Sequence, residues 1–181
     1  MRRPPEPRPF VAPADARPGL EDLARSLALA EYDLLLVGDG SGTIYPKPAG
    51  WSCLAYDRIK NSIDLHAGAV TAGTNNFAEL APYIHALWFH HQEHPLGGLG
   101  AFRAHVVSDS ELTVRCGNQQ YARSANGSLW AAIEWFERNG YRLRWHHIAR
   151  ATNPWNCLAD EIAGRARRAI AGINGLKGDL P

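Results

Sequence analysis

Four acidic side chains occupy positions where α/β proteins commonly build sites: Asp39, Glu79, Asp109 and Asp160. Asp39 lies in the segment GDGSG after an apolar run, and Asp109 directly follows the run AHVVS. Glu79 and Asp160 fall in the first turns of two predicted helices. Strand ends and helix starts are where open α/β sheets place functional groups. Each acid alone has an ordinary explanation as a turn or helix-start residue, so the prediction of a site depends on all four together.

Carboxylates brought together in this way need cations. If the strand of Asp39 and the strand before Asp109 are neighbours, the two side chains end close together. Buried like charges at that spacing repel each other, and bound cations relieve the repulsion. Ligands that are all oxygen suit Mg²⁺ or Mn²⁺ better than Zn²⁺.

The elements that must position these acids follow an α/β pattern. We predict strands at 32–37, 50–57, 63–72, 104–107 and 141–148, and helices at 75–91, 110–116, 128–139 and 156–170. Three strands in succession followed by α/β units predict a mixed sheet with helices on its faces. Asn75 and Asn76 stand at the start of the long helix, where N-capping is one explanation for them.

Composition excludes several classes of protein. The chain has 181 residues, 45% hydrophobic and 20% charged, which is ordinary for a globular domain. No apolar run approaches the ~18 residues of a membrane span, and no secretory signal is visible at the N-terminus. The 3 cysteines form no CxxC motif, so we predict neither a disulfide framework nor a cysteine zinc site, and a cytoplasmic protein.

The net charge of +1 conceals an uneven distribution. Residues 138–168 hold seven arginines against Asp160 and Glu161, so the remaining chain is acidic. A strongly basic nucleic-acid binder is disfavoured by the total. The arginine-rich stretch, together with cations on the acidic cluster, keeps a nucleic-acid substrate possible in spite of that total.

The four acidic segments carry a family resemblance. DGSG around Asp39, TNNFAEL through Glu79, VVSDSEL through Asp109 and NCLADEIA through Asp160 resemble the type 1 ribonucleases H. The segment NGSLW, from Asn126 to Trp130, resembles the family's Asn-x-x-Leu-Trp helix start. The resemblance spans about residues 32–171 and implies a ribonuclease H-like α/β fold with a five-stranded mixed sheet.

The resemblance also implies an activity. The family hydrolyses the RNA strand of RNA–DNA hybrids. The resemblance therefore implies that four residues are catalytic, metal-binding acids: Asp39, Glu79, Asp109 and Asp160. Two divalent ions, Mg²⁺ or Mn²⁺, suit that chemistry because one side of the phosphate needs an activated water and the other a stabilised leaving oxygen. Two alternatives stay open: a nuclease of the same fold acting on another duplex, and a non-catalytic nucleic-acid-binding domain.

Several residues are expected to contact the hybrid. The backbone at Gly40 and Ser41 could approach the cut strand closely. Asn75 and Asn76 offer amide groups to groove edges and to the 2′-hydroxyl that distinguishes RNA. The remaining expected contacts come from the last two segments: Asn126, Trp130 and Arg150.

Two departures from the family pattern concern the second half of the chain. Ungapped spacing puts Arg150 where bacterial relatives carry an assisting histidine, and His147 precedes it in an H-x-x-R pattern that some branches share. We expect His147 to be the auxiliary catalytic residue, with Arg150 as an alternative that contacts phosphate. Residues 117–127 lack the lysine-rich protrusion of many relatives, which predicts salt-sensitive binding.

The remaining features lie outside this pattern. We divide the chain into an arm (1–31) with a short helix at 20–30, the catalytic domain (32–171) and a flexible tail (172–181). The Pro/Arg arm could contact a protein partner, and we expect a monomer. His90 and His94 have the i, i+4 spacing of zinc ligands, but no HExxH glutamate accompanies them. We therefore predict no zinc site there.

Overall fold

The computed structural model of the chain describes residues 16–45, 47–94 and 101–177. Five strands lie within these ranges: β1 (Leu34–Ser41), β2 (Lys47–Asp57), β3 (Ser62–Gly73), β4 (Phe102–Ser108) and β5 (Tyr141–His147). Five helices lie within them as well: α1 (Ala16–Ser26), α2 (Asn75–Glu93), α3 (Glu111–Gly117), α4 (Gly127–Arg138) and α5 (Pro154–Lys177).

The strands form one mixed sheet in the order β3-β2-β1-β4-β5. β1, β2 and β3 pair antiparallel as a meander. β4 pairs parallel with β1, and β5 pairs parallel with β4. The predicted five-stranded mixed sheet flanked by helices is therefore confirmed.

The alternation of β1 builds an apolar core on each face of the sheet. Leu34 and Leu36 pack with the buried side chains of α2, α3 and α4. Leu35 and Val37 point to the opposite face and pack with α1 and with Trp155 of α5. A strand that is buried on both faces has a continuous apolar sequence, which explains the run Leu34–Val37.

Helix α1 belongs to the second core. Leu20 and Leu23 are buried there against Leu35 and Val37 of β1. The helix spans Ala16–Ser26, whereas the sequence predicts 20–30, because the chain leaves the helical conformation at residue 28. The expected arm 1–31 thus contains a helix packed onto the sheet, and its residues 1–15 lie outside the described ranges.

Helix α5 continues further than the sequence predicts. It extends to Lys177, so residues 172–177, expected to be a flexible tail, are helical. Once a helix has formed, each further residue adds one hydrogen bond without a new nucleation cost. The glycines near the end of α5 therefore do not terminate it. The last four residues lie outside the described part of the chain.

Two global findings complete the description of the fold. Within the described ranges, no helix is both long and apolar enough to cross a membrane. The three cysteines are free thiols, of which Cys53 and Cys116 are buried and Cys157 is exposed.

Candidate metal centre

The parallel pairing of β1 with β4 places two acids side by side. Val37 is the register partner of Val107, and Asp39 and Asp109 each follow two residues later. Asp39 is not at a corner after the strand, as the sequence suggests, because β1 continues to Ser41 and pairs with β2 along its whole length. Its carboxylate therefore rises from a rigid strand and not from a flexible turn.

Helix α2 brings Glu79 to the same point. Thr74 caps the helix by accepting a hydrogen bond from the Phe77 N–H at 3.2 Å. Capping therefore does not account for the asparagines that follow Thr74, and the Asn75 amide donates instead to Glu79 Oε1 at 3.5 Å. Gly40 makes the close approach of strand and helix possible, because a Cβ there would lie 2.4 Å from the Ala78 carbonyl carbon.

Asp39, Glu79 and Asp109 form a compact acidic cluster. One carboxylate oxygen from each lies within 4.8 Å of the other two. Asp39 is 0% exposed and Glu79 4% exposed, and the Asp109 side chain is 3% exposed. Asp39 Oδ2 and Glu79 Oε2 are buried and have no hydrogen-bond partner among the described residues. Buried acceptors without a donor, all of them oxygens, fit a hard divalent cation.

The electrostatics of the cluster agree with that fit. Burial raises the pKa of Asp39 to about 7, and the neighbouring Asp109 charge adds to the rise while the Gly40 N–H opposes it. Burial also raises the pKa of Glu79 to about 8, with further contributions from Asp39 and Asp109. The cluster by itself therefore holds protons near neutral pH, and cations can displace them.

Asp160 stands at the rim of the cluster. It is exposed on α5, and its charge is near enough to raise the pKa of Asp39. The position of α5 is fixed by the Ser52 hydroxyl, which donates to the Ala159 carbonyl at 2.8 Å, and Ser52 is the β2 partner of Asp39. Asp160 is thus close to the cluster without belonging to its buried part.

Asp109 is surrounded by polar groups from the end of β5, the segment that follows it and the start of α5. The Arg150 guanidinium contacts Asp109 Oδ2 at 3.0 Å, and the Asn156 amide donates to the same oxygen at 3.2 Å. The His147 ring lies 3.3 Å from the Asp109 backbone carbonyl. Both predicted auxiliary residues therefore lie beside Asp109, with Arg150 on its carboxylate and His147 on its main chain.

A groove lies between α2, α3 and α4. Asn76 and Asn126 line it from the starts of α2 and α4, and Trp130 lines it from α4. Asn126 is in the left-handed conformation with φ 59°, and its side chain makes no capping hydrogen bond within the described chain. Trp130 is 5% exposed, and the Arg123 guanidinium lies over its ring, 4.7 Å from the ring centroid.

Tyr83 is a site residue that sequence reasoning missed. Its hydroxyl lies 2.8 Å from the Gly38 carbonyl and 2.9 Å from the Val107 carbonyl. It thereby ties β1 to β4 immediately before Asp39 and Asp109. Its position on an apolar helix face gives no local signal, because only the sheet pairing shows which two carbonyls it meets.

The arginine-rich stretch does not form one surface. Arg150 contacts Asp109, and Arg167 donates to the Gly42 carbonyl near the start of α2. Arg142 and Arg144 instead line a cavity of about 440 Å³ beside the turn after α1. The arginines are therefore divided between the surroundings of the acidic cluster and the face of β5 that borders the turn after α1.

This sheet order and these two helical layers define the class of the molecule: the chain has a type 1 ribonuclease H-like fold. The N-terminal ribonuclease H domain of a Mycobacterium tuberculosis protein superposes with a TM-score of 0.65 at 22% identity, covering 80% of this chain and 99% of that one.

Two further structures give the same match. A ribonuclease H1 isolated from compost, LC11, was crystallised with an RNA/DNA hybrid and matches with a TM-score of 0.62 at 25% identity, covering 75% of this chain and 97% of its own. Ribonuclease H1 of Halobacterium salinarum matches with a TM-score of 0.57 at 21% identity, covering 75% and 98%. A comparison with protein-family models found no match, and a comparison with curated sequences found none either.

Proposed function

We propose that this protein is a metal-dependent endonuclease that hydrolyses the RNA strand of RNA–DNA hybrids by a two-metal-ion mechanism. The observation that carries the proposal is the buried acidic cluster, in which two carboxylate oxygens lack any donor in the described structure. A domain that only bound nucleic acid would gain nothing from buried carboxylates that repel phosphate.

The comparisons support the same class of activity. The three structures described above are ribonuclease H proteins, and one of them was solved with an RNA/DNA hybrid. Phosphodiester hydrolysis on this fold therefore agrees with the chemistry that the acidic cluster can perform.

In this proposal Asp39, Glu79 and Asp109 hold Mg²⁺ or Mn²⁺, and Asp160 adds an outer carboxylate from α5. When bound, two such ions supply an activated water on one side of the phosphate and stabilise the leaving oxygen on the other. The chain contributes the placement of these ligands: Asp39 on a central strand and Glu79 on a helix that Gly40 allows to approach closely.

Recognition of the hybrid falls to the groove between α2, α3 and α4. Asn76 and Asn126 present amide groups that no cap uses, and such groups can hydrogen-bond to sugar hydroxyls and groove edges. Asn75 already contacts Glu79, so it links the substrate surface to the acidic cluster. Backbone groups of Gly40 and Ser41 lie at the same end of β1 and complete the surface for the cut strand.

His147, at the end of β5, and Arg150, after it, have distinct roles in this proposal. Arg150 neutralises Asp109 in the free protein and is 71% exposed, so it can turn to a phosphate of the substrate. His147 is exposed beside the Asp109 main chain, where an imidazole can take or deliver a proton during turnover.

A panel of labelled duplexes tests the proposal. RNA–DNA, RNA–RNA and DNA–DNA duplexes of one sequence are incubated with the protein and Mg²⁺ or Mn²⁺, and products are separated by length. We expect internal cleavage of the RNA strand of the hybrid alone, and loss of that cleavage in Asp109→Asn with its circular dichroism unchanged. Asp22→Asn, which changes an exposed acid on α1, is the matched control and retains activity.

The same panel decides between the alternatives. Cleavage of a different duplex would replace the hybrid as substrate and leave the metal centre in place. Binding of every duplex without turnover at any Mg²⁺ or Mn²⁺ concentration would show a non-catalytic binding domain. Full activity in Asp109→Asn would contradict the site assignment.

A further inference from the structure

A second group of metal-ligating side chains lies at the other end of the sheet. Asp57 ends β2, and His90 and His94 lie one turn apart at the end of α2. Asp57 Oδ2 is 2.6 Å from His94 Nε2 and 3.9 Å from His90 Nε2. One ligand atom from each residue lies within 4.8 Å of the other two.

Neighbouring groups hold two of these side chains in place. Asp57 Oδ1 accepts hydrogen bonds from the Ile59 N–H at 2.8 Å and the Lys60 N–H at 3.0 Å, which leaves Oδ2 directed at the histidines. The other ring nitrogen of His90, Nδ1, is 2.8 Å from the Tyr141 hydroxyl. A ligating histidine usually has such a hydrogen bond on its second nitrogen, which fixes the ring orientation.

His90 Nε2 is an unexplained polar atom. His90 is 5% exposed, and its Nε2 has no hydrogen-bond partner in the described part of the chain. A buried ring nitrogen without a hydrogen-bond partner costs stability.

Asp57 supplies the matching negative charge. Its Oδ2 lies next to the Nε2 atoms of both imidazoles. A nearby ion pair between Lys60 and Glu93, at 2.8 Å, keeps the surrounding charge balanced.

We propose that Asp57, His90 and His94 form a binding site for a Zn²⁺-type divalent ion. Two imidazole nitrogens and one carboxylate oxygen are the donor set that borderline transition metals prefer, whereas Mg²⁺ prefers oxygen ligands alone. A cavity of about 290 Å³ borders Asp57 and His90 and leaves room for a water as the fourth ligand.

This histidine site is separate from the acidic cluster. Asp57 pairs with Leu34 at the start of β1, whereas Asp39 pairs with Ser52. Five strand residues from Leu34 to Asp39 span about 17 Å. Eleven helical residues from Glu79 to His90 span about 16 Å. The two estimates agree, so one ion cannot serve both groups of ligands.

The ion has a structural role at this position. It joins the end of β2 to the last turn of α2, where Asp57 contacts His94 and lies close to His90. Because a preformed site binds its ion only in the folded state, the ion stabilises the fold. It is independent of the proposed nuclease activity, which requires a different set of ligands.

Metal titration tests the proposal on the intact chain. Protein freed of metal with a chelator is titrated with Zn²⁺, and separately with Co²⁺, in excess Mg²⁺ to occupy the acidic cluster. We expect one equivalent of Zn²⁺ by calorimetry, a rise of several degrees in Tm, and intense visible bands of four-coordinate Co²⁺. His94→Gln abolishes all three because it removes one ligand nitrogen. The His94 side chain is 12% exposed, and we expect the substitution to leave the core intact.

The controls separate this site from its surroundings. His85→Gln changes an exposed histidine of the same helix that stacks on Trp51, and it binds Zn²⁺ as the wild type does. Asp39→Asn also binds one equivalent, which distinguishes failure here from failure of the nuclease proposal. Equal Zn²⁺ stoichiometry in wild type and His94→Gln, or Nε2 resonances of His90 and His94 that do not shift with Zn²⁺, overturns the proposal.

Discussion

Asp39 and Asp109 each lie two residues beyond a register pair of the parallel strands β1 and β4, the pair Val37 and Val107. Adjacent strands are about 4.8 Å apart, so the main chain itself holds the two carboxylates close together. Tyr83 bridges the same two strands through the Gly38 and Val107 carbonyls. The repulsion between these acids therefore cannot relax by separation, and it is relieved by protons or by cations.

The pH dependence of stability in metal-free protein follows from this arrangement. The folded-state pKa values are about 7 for Asp39 and about 8 for Glu79, whereas unfolded acids titrate near 4. Between about pH 4 and pH 8 the unfolded chain binds fewer protons than the folded chain. Stability therefore falls as pH rises through that window and then levels off.

Neutral substitutions are expected to remove that loss. Asp39→Asn and Glu79→Gln raise the Tm of chelator-treated protein at pH 8 by several degrees, because each pKa unit corresponds to about 1.4 kcal/mol and 1 kcal/mol moves the Tm of such a domain by about 2–4 °C. At pH 4 the gain disappears. Thermal denaturation followed by circular dichroism measures both, with Asp22→Asn as control. A gain that is equal at the two pH values would show that charge is not its cause.

His147 and Arg150 are expected to affect hybrid cleavage differently. His147→Ala lowers kcat with little change in KM, because a proton carrier acts in turnover, where such groups contribute about 10²-fold or more. Arg150→Ala raises KM and weakens its salt dependence by about one phosphate contact. Steady-state kinetics at several salt concentrations separates the two. Identical kinetic effects of both substitutions would mean that they act as one structural unit.

Asn126 allows a clean test of the groove. Asn126→Gly keeps the left-handed backbone, at φ 59°, and removes only the amide. We expect KM for the hybrid to rise about 2–10-fold, the equivalent of one hydrogen bond, with Tm unchanged. Asn126→Ala loses the same contact and also lowers the Tm, since alanine lacks the short polar side chain that makes asparagine tolerant of this conformation. Wild-type KM in Asn126→Gly would exclude this amide from recognition.

Much of the fold could be predicted from sequence because its elements carry local signals. The apolar run before Asp39 and the run before Asp109 predict buried strands, and in the structure these two strands are parallel neighbours. The asparagines after Thr74 and the spacing to Glu79 indicate the start of α2, which begins at Asn75 as expected. These features depend on residues near one another in the chain.

The remaining features depend on tertiary contacts that local patterns do not contain. The continuation of β1 through Asp39 requires its pairing with β2, and glycines on both sides weaken any strand signal. The pairing of Asp57 with His90 and His94 joins residues more than 30 positions apart, so the spacing of the two histidines alone could not reveal a third ligand. Trp130 is expected to contact the hybrid because its segment resembles a family helix start, and no local pattern shows that Arg123 lies over its ring.

The packing of α1 predicts that it is part of the folding unit. Leu20 is 0% exposed and lies in the core with Leu35 and Val37, although the family resemblance begins only near residue 32. Leu20→Ala is expected to cost about 2–5 kcal/mol of unfolding free energy, measured by urea denaturation. Leu112→Ala, at a leucine that is 50% exposed, is the control and costs far less. If Leu20→Ala left stability unchanged, α1 would be an accessory segment whose removal the sheet tolerates. A cost in the expected range would show that α1 stabilises the domain by burying Leu35 and Val37 of β1, which would otherwise be exposed to solvent.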